Sequence, residues 1–287
     1  MIYRLFEILD AQWLIHRETA LSYLPVLISF LNGGKIVLEA DDIKKPYVFA
    51  QGQDPINPVS RYDLDSPDIP DNSIAVIPIQ GAIVSWKSIE LISNLQKAEA
   101  NPQIISTVFL VNSPGGMVYY TDITADAIKS ASKPTVAVIM NMAASAAMWL
   151  ISAMDYRIAT SSLDRVGSIG VRVSFTDFNG FLKEKLGITV YDIYASKSTK
   201  KDEEIRTLLE GDNSKVISGA DFINEIFHQA IRENLSLKEN PEVFTGALFY
   251  AKKAMELGLI NAIGSISAAF EYTYKEGLAH KIKQFKL

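Results

Sequence analysis

Short apolar runs alternate with amphipathic stretches from residue 73 onward. The runs IAVIPI (74–79), STVFLV (106–111) and TVAVIM (135–140) have the length and continuous apolar character of strands buried on both faces. Residues 86–99 and 121–131, which follow the first two runs, carry apolar positions at helical spacing. Strands that alternate with helices in this way predict an α/β domain with crossover connections.

Two more strands and a helical end are predicted in the rest of the chain. The segments YRIAT (156–160) and SIGVRV (168–173) are short and rich in β-branched residues, as strands are. Helical spacing then dominates from about 203 to 236 and again from 247 to 258. We therefore expect the last third of the protein to be mainly helical.

The first 72 residues differ from the rest in composition. Residues 51–72 hold four prolines among Asp, Asn and Ser, which favours turns and extended backbone and indicates a linker. We therefore assign 1–72 to an N-terminal extension with a proline-rich linker, and 73–287 to the main domain. The apolar run 21–31 is shorter than the roughly 20 residues of a membrane span, so it predicts a buried helix or strand.

Charge and composition exclude several classes of protein. The formal net charge of -5 gives no general attraction to nucleic acid or anionic lipid, so we expect neither partner and no membrane contact. The absence of cysteine excludes disulfides, thiolate metal sites and a cysteine nucleophile. No basic stretch precedes a clean apolar run at the start, so no signal peptide is expected. We predict a cytoplasmic protein, or a virion or prohead component if the chain derives from a phage.

A glycine-rich turn follows the second predicted strand. Asn112 to Gly116 read NSPGG, and a proline followed by two glycines makes a tight turn without side chains. Backbone N–H groups can approach a ligand closely there, because no Cβ blocks them. Such a turn is suited to an oxyanion hole, although an ordinary loop remains the alternative.

A serine among alanines follows the third predicted strand. Ser145 in MAASAA (142–147) stands where the strand ends and a helix begins. A nucleophile at that position would be exposed at the strand end and would lie near the positive end of the helix dipole. The alternative is that Ser145 only caps the helix or packs among small residues.

Together, the two segments resemble peptidase family S49, the family of the signal peptide peptidase A-like proteins. Further segments resemble this family in the same order: IPIQGAI (77–83), GSIGV (167–171), KLGI (185–188) and FTGALFYAKKAMELGLINAIG (244–264). The resemblance extends over 74–264. It implies the ClpP/crotonase-like α/β fold, built from repeated ββα units with a helical C-terminal part.

The resemblance also implies a serine peptidase with a serine–lysine dyad. Ser145 would be the nucleophile, and backbone N–H groups of Gly115, Gly116 and Ala146 would form the oxyanion hole. A lysine can act as the base only if burial lowers its pKa enough to populate the neutral amine. Ser168 matches a family serine that hydrogen-bonds the lysine and orients it.

Three lysines compete for the role of the base in the segment after KLGI. Lys201 precedes Asp202 and matches the family's Lys-Asp step best. Lys200 fits relatives with one residue between the lysine and the aspartate, and Lys197 has the nearest spacing to the serine. We rank them in the order Lys201, Lys200, Lys197, and at least two of the three must belong to a solvated basic loop.

The three histidines do not supply a Ser–His–Asp triad. His16 precedes the matched region, His280 lies near the end of the sequence, and His228 falls in an apolar helical pattern that predicts a structural role. No HExxH motif, P-loop or dinucleotide-binding glycine pattern is present, so no cofactor and no metal are expected.

The sequence is compatible with two other functions. Family members commonly have Ser-Gly-Gly at the nucleophile, whereas this chain has Ala146 and Ala147 after Ser145. That departure allows a non-catalytic assembly protein with a vestigial site, and the shared fold allows a crotonase-type acyl-CoA enzyme. The preferred prediction is an endopeptidase that cleaves peptides or unfolded protein segments, in phage head maturation or peptide degradation, and that assembles into a homo-oligomer.

Overall fold

The computed structural model describes residues 13–15, 45–50, 62–175, 177 and 179–284, and of residues 13–15, 181, 182 and 186 it describes the backbone alone. The strands are β1 (Trp13–Ile15), β2 (Tyr47–Phe49), β3 (Ser73–Gln80), β4 (Ile104–Ser113), β5 (Gly115–Met117), β6 (Thr135–Ala144), β7 (Tyr156–Ala159), β8 (Arg165–Gly167), β9 (Leu248–Tyr250) and β10 (Ala262–Ile263). The helices are α1 (Ser85–Ala100), α2 (Thr121–Lys129), α3 (Ala146–Ser152), α4 (Asn179–Leu186), α5 (Glu203–Leu209), α6 (Ser214–Asn234), α7 (Ala251–Leu257) and α8 (Ile266–Gln284), with a 3-10 turn at Pro241–Phe244.

A mostly parallel sheet forms the centre of the fold. Its strands lie in the order β10-β7-β6-β4-β3-β2, and all except the edge strand β2 run parallel to their neighbours. The carboxyl end of β6 extends past β7 and pairs there with β8, which in turn pairs antiparallel with β9. This topology confirms the predicted α/β class. It also places the carboxyl ends of β4, β6 and β8 at one edge of the sheet.

Helices cover both faces of the sheet, which explains the continuous apolar character of its strands. On β3, Ala75 and Ile77 face the larger core, which contains apolar side chains of α1, α2, α3 and α6. The alternate residues Ile74 and Val76 face the opposite side, where Phe270 of α8 belongs to the same cluster. Since side chains alternate along a strand, burial of both sets requires apolar residues at every position.

Periodicity predicted the central strands and helices correctly, but it was wrong in two places. Residues 248–250, which were predicted to be helical, form β9 and pair with β8. The strand predicted at 168–173 is wrong: β8 instead ends at Gly167, and Ser168 turns away from it with a φ of 54°. The amide of Ser168 still donates to the carbonyl of Ala247, the residue before β9, at 2.7 Å, so the positive φ and not a lost hydrogen bond ends the strand. The apolar sequence SIGV lies in a turn because one positive φ ends the strand.

The segment assigned to the N-terminal extension also contributes to the sheets. Strand β2 pairs antiparallel with β3. Leu64 and Ile69, which precede β3 in the sequence, are buried. The boundary at residue 73 therefore stays a prediction, and the element predicted at 21–31 lies outside the described residues. Within those residues, no helix combines the length and the apolar character that a membrane crossing requires.

Candidate active site

Ser145 occupies a sharp turn between β6 and α3. Its backbone has φ 56° and ψ -119°, a conformation that side chains rarely adopt. Such strain costs of order 1–3 kcal/mol and persists only where the surroundings impose it, frequently at functional sites. A strained strand-to-helix turn is the arrangement that holds the nucleophilic serine of many hydrolases. The predicted exposure of Ser145 is wrong, because the residue is only 2% exposed. The Ser145 hydroxyl makes no hydrogen bond with any residue that the structure describes.

The end of β8 holds this turn in place. The amide of Ser145 donates a 2.8 Å hydrogen bond to the carbonyl of Gly167. Gly167 has a φ of 120°, and a Cβ there would lie 2.7 Å from the Ala247 carbonyl oxygen and 3.2 Å from the Phe249 ring. Only glycine fits this position without strain. Ser168 follows directly, so the fold brings the predicted orienting serine next to the segment that fixes Ser145.

The glycine turn after β4 lies beside this site. Ser113 is paired with Ala143 across the β4–β6 ladder, and β5 packs against α3, the helix that follows Ser145. The Ser113 hydroxyl donates to the Gly81 carbonyl at 2.7 Å and accepts from the Gly115 amide at 3.2 Å. The fold thus brings Gly115 and Gly116 to the same sheet edge as Ser145.

The three predicted oxyanion donors differ in their surroundings. The Gly115 amide is held by Ser113, as described above. The Gly116 amide lies on the other side of β5 from Ile83, because the flanking groups, the Gly115 carbonyl and the Met117 amide, both bond to Ile83. The Ala146 amide begins α3 and has no acceptor within the helix. Gly116 and Ala146 therefore offer the N–H groups that the turn and the helix do not use.

A Cβ at Gly116 has no room at all. It would lie 1.8 Å from the carbonyl oxygen of Ile83, so the backbone of the β3–α1 connection contacts this glycine directly. The second glycine of the NSPGG turn is required by close approach of the Ile83 backbone, whereas the sequence predicted close approach of a ligand.

Asp164 is a buried carboxylate that sequence reasoning missed. It accepts hydrogen bonds from the amides of Asn141 (2.8 Å), Thr160 (2.8 Å) and Ser161 (2.9 Å). Asn141 has a φ of 85° and lies four residues before Ser145 along β6. Asp164 thus ties the irregular end of β6 to the loop before β8, the two segments that position the Ser145 turn. Its neighbours SSLD indicate only a local turn, so the bond to Asn141, 23 residues earlier, leaves no signal in the sequence.

The three candidate lysines lie in an exposed segment. Lys197, Lys200 and Lys201 are all exposed, and none bonds to Ser145 or Ser168. Lys200 instead forms an ion pair with Glu203 at 2.8 Å, and its side chain is 78% exposed. The described chain therefore places Ser145 and Ser168 together but does not bring a lysine of this segment to them.

Lys87 is a half-buried lysine near the same edge. Its ammonium donates to the Gln80 carbonyl at 2.9 Å, and burial lowers its pKa, an effect that the charge of Glu90 partly offsets. Gln80 ends β3, which is separated from β6 by β4. Since neighbouring strands are about 4.8 Å apart, β3 and β6 are about 10 Å apart. Lys87 closes the turn after β3 and is not a partner of Ser145.

His228 has the structural position that its helical pattern predicts. It is buried on α6 against Phe244, with ring centroids 4.8 Å apart. Burial, and then the charge of Arg232, lower the pKa of His228, while Glu225 and the Ile169 backbone raise it. The ring thus interacts with the backbone of Ile169, the residue that follows Ser168.

A strained serine beside a glycine turn, at the carboxyl edge of a mostly parallel sheet, places this protein in the class of ClpP/crotonase-like α/β folds. The chain belongs to peptidase family S49, whose model matches residues 127–278. The matched range includes Ser145 and Ser168 as well as the lysine segment, and the glycine turn precedes it.

Named proteases are among the relatives of this chain. Protease 4 of Haemophilus influenzae is 25% identical over 249 residues, covering 79% of this chain and 40% of that protein. Capsid assembly protease C of Escherichia phage lambda is 30% identical over 207 residues, covering 67% of this chain and 46% of that protein. The head-tail preconnector protein of Enterobacteria phage P21 is 28% identical over 214 residues, covering 68% and 42%. The chain thus spans somewhat less than half of each of these relatives.

Proposed function

We propose that this protein is a serine endopeptidase that cleaves extended peptide segments through an acyl-enzyme on Ser145. The observation that carries the proposal is the strained backbone of Ser145, next to the glycine turn. A fold maintains a conformation costing of order 1–3 kcal/mol when that conformation serves the site. Membership of a peptidase family supplies the reaction class.

The reaction begins when a neutral lysine amine takes the proton of the Ser145 hydroxyl. The oxygen attacks the scissile carbonyl carbon, and the amides of Gly116 and Ala146 stabilise the resulting oxyanion. The lysine then gives the proton to the leaving amine as the C–N bond breaks. A water molecule, deprotonated by the same lysine, attacks the ester, and this releases the acid and restores Ser145.

We further propose that a second copy of the chain supplies the lysine. An exposed lysine stays protonated at neutral pH, so the base must become buried before it can act. Tyr191 and Ile193, which precede the three lysines, are 81% and 92% exposed. Large apolar side chains at that exposure suit burial against another molecule. Docking this segment beside the Ser145 site of a neighbouring copy would bury Lys201, which we rank first, and place it near Ser168.

We propose protein segments involved in assembly as the substrates. Two of the relatives described above are named for capsid assembly and for the head-tail preconnector of phages. A site at a strand edge recognises extended backbone, which unfolded or scaffold-like segments provide. The specificity of cleavage depends on the pockets that such a segment would contact.

The test is mass spectrometry of an extended-peptide library after incubation with the wild type or with Ser145→Ala. The matched control is Ser93→Ala, which removes an exposed hydroxyl on α1. We expect new cleavages with the wild type and Ser93→Ala, and none with Ser145→Ala. Cleavages that survive in Ser145→Ala would refute Ser145 as the nucleophile. Identical spectra for all three folded proteins would favour the non-catalytic assembly protein.

A further inference from the structure

Strand β5 has two edges, and the first is hydrogen-bonded to Ile83 in the connection between β3 and α1. Ile83 donates to the Gly115 carbonyl at 2.9 Å and accepts from the Met117 amide at 2.8 Å. In a strand, the polar groups of successive residues point to opposite sides. The N–H and C=O of Gly116 therefore face the second edge, away from Ile83.

The second edge lies on the side of the candidate nucleophile. Ile83 follows β3, and β3 and β6 flank β4 on opposite sides. Because β5 continues from β4, its edge away from Ile83 is the edge toward β6, the strand that ends at Ser145. The helix that follows Ser145 packs against β5. A peptide paired with this second edge would therefore pass beside the nucleophile and the amide of Gly116.

The chain's own N-terminal segment occupies this edge. Strand β1 pairs antiparallel with β5, with Trp13 opposite Met117, Leu14 opposite Gly116 and Ile15 opposite Gly115. Because the polar groups of Gly116 face β1, Leu14 and Gly116 form the hydrogen-bonded pair of this ladder. The backbone of Leu14 thus satisfies the amide that our proposed mechanism assigns to the oxyanion.

We propose that β1 is an intramolecular, substrate-like occupant of the peptide-binding edge, which keeps the site closed until β1 is displaced. The ligand class of this edge is an extended polypeptide that runs antiparallel to residues 115–117. Peptides in solution then compete with β1 for the same hydrogen bonds. The occupancy itself rests on the strand pairing alone, and only its inhibitory consequence rests on the proposed peptidase function.

The first test measures peptide binding in a background that cannot cleave. The probe is a fluorescein-labelled peptide with the sequence of residues 8–20, and the protein is full-length Ser145→Ala. Adding Leu14→Pro removes the backbone N–H that pairs with Gly116, whereas the matched control Leu14→Ala keeps it. By fluorescence anisotropy, we expect the proline variant to bind the probe at least 5-fold more tightly than its parent, and the alanine variant to match the parent.

The second test locks β1 in place, and it uses the absence of cysteine from the chain. Trp13 and Met117 form the non-hydrogen-bonded pair, whose Cα atoms lie about 4.5 Å apart, within disulfide range. We expect Trp13→Cys/Met117→Cys, also in the Ser145→Ala background, to form a disulfide on oxidation, lose probe binding, and regain it on reduction. Each single cysteine variant is the control for folding and should bind the same in both states.

The outcomes separate this inference from the proposed function. Equal binding by all variants, binding by none, or failure of the cysteine pair to form a disulfide would each overturn the inference, whatever the peptidase test shows. If the tests succeed while Ser145-dependent cleavage is absent, the occupancy stands and the proposed function fails. If both hold, Leu14→Pro in the wild-type background should raise kcat/KM for the same peptide by a similar factor, mainly through a lower KM.

Discussion

The main-chain N–H of Ser145 donates a 2.8 Å hydrogen bond to the carbonyl oxygen of Gly167. The bond joins the turn at the end of β6 to the last residue of β8, which pairs with β6 just before that turn. It therefore fixes a backbone conformation that is strained in isolation. It also uses the amide of Ser145 itself, which leaves Ala146 as the first free amide of α3.

Replacing Gly167 with alanine should damage both the site and the fold. A Cβ there meets the Ala247 carbonyl oxygen at 2.7 Å and the φ of 120° is strained for alanine. We expect a loss of about 1–3 kcal/mol in unfolding free energy, measured by urea denaturation. A shift of about 1 Å at Ser145 would also lower kcat about 100-fold. The control is Gly180→Ala, where no atom of the described residues lies within 4 Å of the added Cβ, and it should leave activity unchanged. A matching loss there would contradict the steric argument.

Asp164→Asn should loosen the site through the end of β6. The carboxylate accepts hydrogen bonds from three main-chain N–H groups. The asparagine side chain would have an NH₂ donor in place of one of the two accepting oxygens. We expect unfolding free energy to fall by about 1–3 kcal/mol and kcat to fall more than KM changes. Asp122→Asn, an exposed change at the start of α2, is the control and should alter neither. Full activity in Asp164→Asn would show that the Asn141 bond does not position Ser145.

A lysine series should identify the base. We expect Lys201→Ala to lower kcat at least about 100-fold, as loss of a general base does, while Lys197→Ala retains activity. Lys200→Ala should also stay active, because its pair with Glu203 is exposed and such pairs contribute little. Loss of activity in Lys200→Ala or Lys197→Ala instead would assign the base to that residue and overturn our ranking.

Mixing two inactive variants should test whether the lysine comes from a second copy. Ser145→Ala keeps its lysines and Lys201→Ala keeps its serine, so mixed oligomers contain some complete sites if the base acts in trans. We expect the mixture to recover a measurable fraction of wild-type kcat after subunit exchange, assayed on the peptide found in the library. A mixture as inactive as its components, with exchange verified by native mass spectrometry, would place both groups in one copy.

Stability should fall in mildly acidic solution through His228. Burial and Arg232 lower the pKa of His228 in the folded state, so the unfolded state binds its proton first as the pH falls. The stability that the neutral ring maintains is therefore complete above the ordinary histidine pKa of about 6.5 and is lost as the pH drops below it. His228→Gln should make the change in unfolding free energy between about pH 7.5 and 5.5 less steep. His280→Gln, on α8, is the control and should keep the wild-type slope.

The sequence by itself determined the α/β core, the order of its strands along the chain, and the two segments that carry the candidate chemistry. Apolar runs such as TVAVIM and the turn residues of NSPGG act through local rules, namely side-chain alternation and glycine's freedom from a Cβ. Those rules need no knowledge of distant residues. Periodicity failed at 168–173, where one positive φ at Ser168 ended a strand that the side chains alone would have extended.

Only the tertiary structure decided which segments meet. Three interactions join residues that are about 20 to 100 positions apart in the sequence. They are the hydrogen bond from Ser145 to Gly167, the hydrogen bond from Asn141 to Asp164, and the pairing of β1 with β5. At least one partner in each of these bonds is a backbone group that nearly every residue has, so no residue type predicts the bonds from the sequence. The exposure of Lys197, Lys200 and Lys201 is a tertiary property for the same reason: a lysine's burial, and with it its pKa, depends on what packs over it.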